Sequence, residues 1–154
     1  MINKKIKQKK FCFVCILTTG RTGSDFLQGC LDGIPGVITF SGQIAFYTFL
    51  KDEKTKKFFA KKDSKNLIKY FVRKHPKLFF KDSLENKIIN LNIKKFYRIF
   101  SELSHEIDLN RKNFFINIYL SYHLTLKRKI LKKNTIVHHS HSVEETENFC
   151  KDFD

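Results

Sequence analysis

Five consecutive residues, Gly20-Arg21-Thr22-Gly23-Ser24, follow the apolar run from Phe11 to Leu17 and precede a stretch with helical spacing. A turn between a strand and a helix N-terminus is a physical anion site, because free backbone N–H groups and the helix dipole both point into it. Arg21 would fork onto phosphate or sulfonate oxygens, Thr22 and Ser24 would donate further hydrogen bonds, and Gly20 and Gly23 would let the backbone approach a ligand closely. The same residues also suit a plain tight turn with an exposed arginine and a serine cap. A second group, Val137-His138-His139-Ser140-His141-Ser142, closes another strand-like run. On a strand His139 and His141 share a face, but a metal pair lacks an evident third ligand, so no metal is expected.

The elements that must position these residues are read from periodicity. Phe11 to Leu17 fits a buried strand of a parallel sheet. From Ser24 the residues Phe26, Leu27, Cys30 and Leu31 fall on one face of a helix that Gly33, Pro35 and Gly36 stop. Val37 to Phe40 is a short extended segment. Lys51 to Lys65 is charged and reads as a solvated loop or exposed helix. Helices follow at about Ser64 to Lys74 and Leu84 to Phe100, separated by His75-Pro76. A longer helix runs from roughly Asn110 to Lys132, with Phe114, Ile118, Leu120 and Leu124 as apolar positions and a basic last turn that suits its dipole. Thr135 to His138 is a sheet strand, and Ser142 with Glu145 forms a capping box opening a last helix. Strands joined by helical crossovers imply an α/β layer fold with a mainly parallel sheet flanked by helices. Helices outnumber strands.

Composition narrows the function classes. The 154 residues fit one domain, residues 1 to 154, with a basic leader over residues 1 to 10. With 42% hydrophobic residues and 17 Phe, the chain has material for a core. The net charge of +15 comes from 30 basic and 15 acidic side chains. It suggests an anionic partner, yet five arginines leave 25 of the 30 basic residues as lysine. Base-reading surfaces favour arginine, so no specific nucleic acid is expected. Cys12, Cys15, Cys30 and Cys150 are too few and too uneven for a disulfide framework, and a strand sends Cys12 and Cys15 to opposite faces. Reduced thiols in a cytoplasmic setting are expected. The leader and apolar run mimic a signal peptide, but no small-residue cleavage site follows, and the run is too short to span a bilayer.

The stretch from Ile16-Leu17-Thr18-Thr19-Gly20-Arg21-Thr22-Gly23-Ser24-Asp25-Phe26-Leu27 through Leu31-Asp32-Gly33-Ile34-Pro35-Gly36-Val37 resembles the opening of sulfotransferases that use 3'-phosphoadenylyl sulfate. The resemblance covers about Phe11 to Gln43. It implies a phosphate-loop-like sheet in which Gly20, Arg21, Thr22, Gly23 and Ser24 hold the 5'-phosphosulfate of that co-substrate. The acceptor would be a hydroxyl of a carbohydrate or similar molecule. It further implies a histidine base at a strand end, with His141 first and His139 second as catalytic candidates. Two positions depart from the pattern: Asp25 replaces a second hydroxyl residue, and Gln43 falls where carbohydrate sulfotransferases often carry Glu.

In the family an Arg and a Ser beyond the next strand hold the 3'-phosphate, and the chain stops at Lys151-Asp152-Phe153-Asp154, about where that strand would begin. The expectation is an N-terminal portion of a larger domain, incomplete at its C-terminal side and inactive by itself. Two other readings are a nucleotide or sugar kinase relative and a non-enzymatic basic nucleic-acid-binding protein. The first lacks the Gly-Lys-Ser/Thr of a phosphate-loop NTPase. Oligomeric state is not encoded in any motif.

Overall fold

The computed structural model describes residues 6, 9–18, 23–40, 42–80, 91–105 and 107–153, apart from the side chains of Asp25 and Phe80. β1 (Lys10–Leu17) leads to helix α1 (Ser24–Leu31) and the short strand β2 (Val37–Ile38). Helices α2 (Phe46–Lys51), α3 (Glu53–Ala60), α4 (Ser64–Lys74), α5 (Pro76–Phe80), α6 (Ile93–Ser104) and α7 (Arg111–Thr125) come next. Strand β3 (Lys133–Ser140) and helix α8 (Val143–Phe153) complete the described elements. The strands form an open parallel sheet of order β1-β3-β2, flanked by helices. β3 therefore enters between two strands made far earlier in the chain. Among the described residues no helix is long and apolar enough to cross a membrane.

The register pairs Cys15 with His138, Ile16 with His139 and Leu17 with Ser140. Side chains alternate across a strand, so His138 and His139 serve opposite faces. The face of Phe13, Ile136 and His138 lies under the core helices, where the Phe13 ring stacks on Phe153 of α8 at 4.2 Å. α7 is the axis of this core and is buried on nearly all sides. Phe114 packs against Phe46, Phe49, Phe59, Phe71 and Phe100 from other helices. Phe40, just beyond β2, is fully buried and stacks on Tyr122 at 4.1 Å. Offset and edge-on ring pairs of this kind add about 0.5–1.5 kcal/mol beyond burial of their area. Most of the phenylalanines, though not the exposed Phe26, thus find their use in one continuous core.

Side-chain caps set the helix starts. Asp52, Asp63, Asn92 and Asn110 each accept a hydrogen bond from a backbone N–H of the first turn. The charged stretch after Lys51 is therefore helical, and α3 tucks Thr55 under with Phe58 and Phe59 half-buried against the core. α2 lies in a stretch for which periodicity gave no element. The predicted helix at 84–100 begins only at Ile93 among the described residues, its earlier part falling in 84–90, which lies outside them. The helix expected to reach Lys132 ends at Thr125, because Lys127 takes a left-handed conformation (φ 61). Of the basic residues that follow, Lys127 and Arg128 serve its C-terminus through backbone N–H groups, on Leu124 O and His123 O at 3.0 and 3.2 Å. The side-chain cation there is Lys95 of α6, donating to the carbonyls of Leu124 and Thr125 at 3.3 and 3.1 Å. The capping box is half formed: Ser142 Oγ accepts from the Glu145 N–H at 3.4 Å, while the Glu145 carboxylate turns away to Thr48.

Candidate functional site

The C-terminal ends of β1 and β3 lie side by side, and the ladder runs one step further through the Thr18 N–H, which donates to Ser140 O at 3.1 Å. Ligands of open α/β sheets bind at this end of the strands. Gly23 then sets α1 in place from a left-handed conformation (φ 74). A Cβ there would meet nothing within 4 Å, so the dihedral and not the space calls for glycine. The N-cap of α1 is this glycine, so no side chain at that position caps the first turn.

Thr18 gathers the polar groups. Its Oγ1 lies 3.0 Å from His139 Nε2, 3.3 Å from His141 Nδ1 and 3.2 Å from Ser24 Oγ. Behind His139, its Nδ1 is 3.2 Å from Gln28 Oε1, and the Gln28 amide nitrogen donates to Thr39 Oγ1 at 3.0 Å. Thr39 in turn donates to the Val137 carbonyl at 3.0 Å. His139 and Gln28 are fully buried, whereas His141 is exposed. The two imidazole rings stand 4.5 Å apart. A buried imidazole thus lies behind a hydroxyl, with a second, accessible imidazole beside it.

The structure thus brings Ser24, His139 and His141 together, with Gly23 at the entry to α1. Gly20, Arg21 and Thr22, and the side chain of Asp25, lie outside the described residues; Thr18 and Gly23, the described residues on either side of 19–22, border the site. His138 does not join it. Its ring stacks on Phe149 and its Nδ1 sits 3.0 Å from the Tyr119 hydroxyl, and burial beside His139 pushes its pKa down to about 3. His138 is a neutral core residue. Gln43 is half-buried. Cys12 is exposed and Cys15 half-buried, the latter in contact with Thr146 Oγ1 at 3.8 Å. Among the described residues no group of three His, Cys, Asp or Glu could hold a metal ion.

Sequence reading missed Thr18, Gln28 and Thr39. The reason for Gln28 is instructive, since α1 was expected to bury Phe26, Leu27, Cys30 and Leu31. The structure turns that face outward: Phe26 is 66% exposed and Leu27 48%, while Ser24 and Gln28, one turn apart, are buried. The i, i+4 spacing of two polar residues was the available signal.

Comparison of the chain with protein-family models, with curated proteins and with solved structures finds no match.

Proposed function

We propose that the chain belongs to a phosphate-loop-like sulfotransferase domain, moving a sulfonyl group from 3'-phosphoadenylyl sulfate to a hydroxyl of a carbohydrate or similar acceptor. The observation that carries this reading is the meeting of the end of β1, the start of α1 and two histidines at the Thr18 hydroxyl. In-line transfer needs an anion cradle and a base on one side of the sheet. The parallel order β1-β3-β2, which sets the end of β1 beside the end of β3, supports the same assignment.

Gly20, Arg21, Thr22, Gly23 and Ser24 would hold the 5'-phosphosulfate, Arg21 neutralising charge on the transferring group. A histidine, His139 or His141, takes the proton of the acceptor hydroxyl as its oxygen bonds to sulfur. The sulfur–oxygen bond to the 5'-phosphate breaks, and 3'-phosphoadenosine 5'-phosphate leaves with the electron pair. The test is calorimetric binding of 3'-phosphoadenosine 5'-phosphate to the wild type and to Arg21→Ala. Binding is expected in the first and a loss of at least tenfold in the second; a folded wild type that does not bind defeats the reading.

A second reading, a non-enzymatic nucleic-acid-binding protein, draws on a groove of about 300 Å³ between α4 and α6, lined by Ser64, Lys65, Lys69, Tyr97 and Arg98 among others. It requires duplex binding that weakens steeply with salt and is indifferent to Arg21→Ala.

A further inference from the structure

The hydrogen-bond chain behind His139 has only one direction. A carbonyl oxygen accepts and never donates, so the Thr39 hydroxyl proton goes to Val137 O, with Phe40 O as its other carbonyl neighbour at 3.3 Å. Thr39 Oγ1 must then receive a proton from Gln28, which aims the amide NH₂ at Thr39 and the amide oxygen at His139. The reversed amide would set Oε1 against an oxygen whose single proton is already given. An amide oxygen also only accepts, so His139 carries its proton on Nδ1. Neutral imidazole then has its lone pair on Nε2, 3.0 Å from the Thr18 hydroxyl. Thr18 gives its proton to that lone pair and can accept from Nδ1–H of His141, with Ser24 Oγ its other hydroxyl neighbour at 3.2 Å.

From this we infer that His139, and not His141, is the proton acceptor of the site, and that Gln28 and Thr39 are positioning residues that set its tautomer from the carbonyl of Val137. In the apo chain the Thr18 hydroxyl occupies the place that an acceptor hydroxyl takes in the reaction. His141 faces the same oxygen as a donor, which suits holding that oxygen and not deprotonating it. The catalytic consequence rests on the sulfonyl-transfer reading. The tautomer does not, since it follows from protein groups alone.

Long-range proton–nitrogen correlation spectra of the histidine rings, on the ¹⁵N-labelled full chain with no ligand, decide the matter. The wild type should show His139 protonated at Nδ1. Gln28→Leu, close in volume and without an acceptor, should move the ring to the Nε2-protonated form or to a mixture, and Thr39→Val should do so in part. Gln28→Glu keeps an acceptor opposite Nδ1 and should retain the wild-type tautomer. A wild-type His139 protonated at Nε2 overturns the inference, as does a folded Gln28→Leu whose ring is unchanged. The wild-type spectrum decides even if a variant fails to fold. Failure of the wild type to bind 3'-phosphoadenosine 5'-phosphate would defeat the sulfotransferase reading and leave the tautomer result standing.

Discussion

Asp32, at the C-terminal cap of α1, is gripped through both carboxylate oxygens by the guanidinium of Arg128, 96 residues further on and just before β3. Both side chains are largely buried, 13% and 26% exposed. The pair ties the far end of α1 to the entry of β3, and α1 is the helix that carries Gln28 to His139. A forked arginine–carboxylate contact fixes geometry as well as energy.

Breaking it from one side leaves a charge partly buried without its partner. Asp32→Ala should lower unfolding stability by about 2 kcal/mol, below the 3–5 kcal/mol of a fully buried pair because solvent still reaches Arg128. Arg128→Lys should recover only part of the wild-type value, since an ammonium cannot fork. Urea denaturation checks both; an unchanged midpoint for Asp32→Ala would show that the pair holds nothing.

Thr18→Val removes the hydroxyl that His139, His141 and Ser24 share, leaving the buried His139 Nε2 without this partner. The expected cost is about 1–3 kcal/mol, with Thr18→Ser much closer to wild type. Thermal unfolding of the two variants side by side reads the difference.

Acid should destabilise the fold well before its carboxylates titrate. Burial pushes His138 down to about 3 and His75 down to about 4, from an ordinary 6.5. In the unfolded chain both take up protons near pH 6.5, while the native state keeps them neutral. The stability is fully present above pH 6.5 and is lost as pH falls towards those native values. Between pH 6.5 and 5 the loss approaches about 1.4 kcal/mol per pH unit for each such histidine. His138→Gln, which keeps an acceptor for Tyr119, should lower the slope by about one proton, measured as melting temperature against pH. A slope equal to wild type would place the pH sensitivity elsewhere.

Phe114→Ala should cost about 3–5 kcal/mol, the range for emptying a well-packed aromatic site. Its ring meets five other phenylalanines from four other helices. By contrast Phe26→Ala, at a 66% exposed position, should change stability by less than about 0.5 kcal/mol. Chemical denaturation gives both values, and similar losses for the two would contradict the outward setting of α1.

β1, β3, α4 and the start of α7 were legible because their signals are local: a continuous apolar run, a capping side chain three residues from the N–H it accepts, a proline that interrupts a helix. The burial expected of β1 does not hold, because it is an edge strand with Val14 and Leu17 43% and 42% exposed. α3 was obscured by its lysines, although Asp52 and the pair Phe58-Phe59 marked it. The end of α7 was misread because lysines after a helix suggest a dipole partner, and the partner proved to be Lys95 from another helix. For the candidate site, Ser24 and the two histidines were visible by residue type, whereas Thr18, Gln28 and Thr39 were not. Each of those three acts through residues distant in the chain, and none has a type that signals chemistry by itself.

Alternation along β3 already required His138 to face away from His139, because a strand has a period of two wherever it sits. It did not say which face would be core. That depended on helices α7 and α8 supplying Tyr119, Phe115 and Phe149 to one side of the sheet, so that His138 is desolvated there and His139 meets a polar helix on the other. The same amphipathic spacing in α1 defined two faces but not their direction. The hydrogen bonds that join Gln28 to Thr39 and His139 turned the polar face inward, since buried polar groups left unpaired cost more than an exposed phenylalanine and leucine. Local periodicity was settled by covalent geometry, and orientation by which partners the rest of the chain brought to each face.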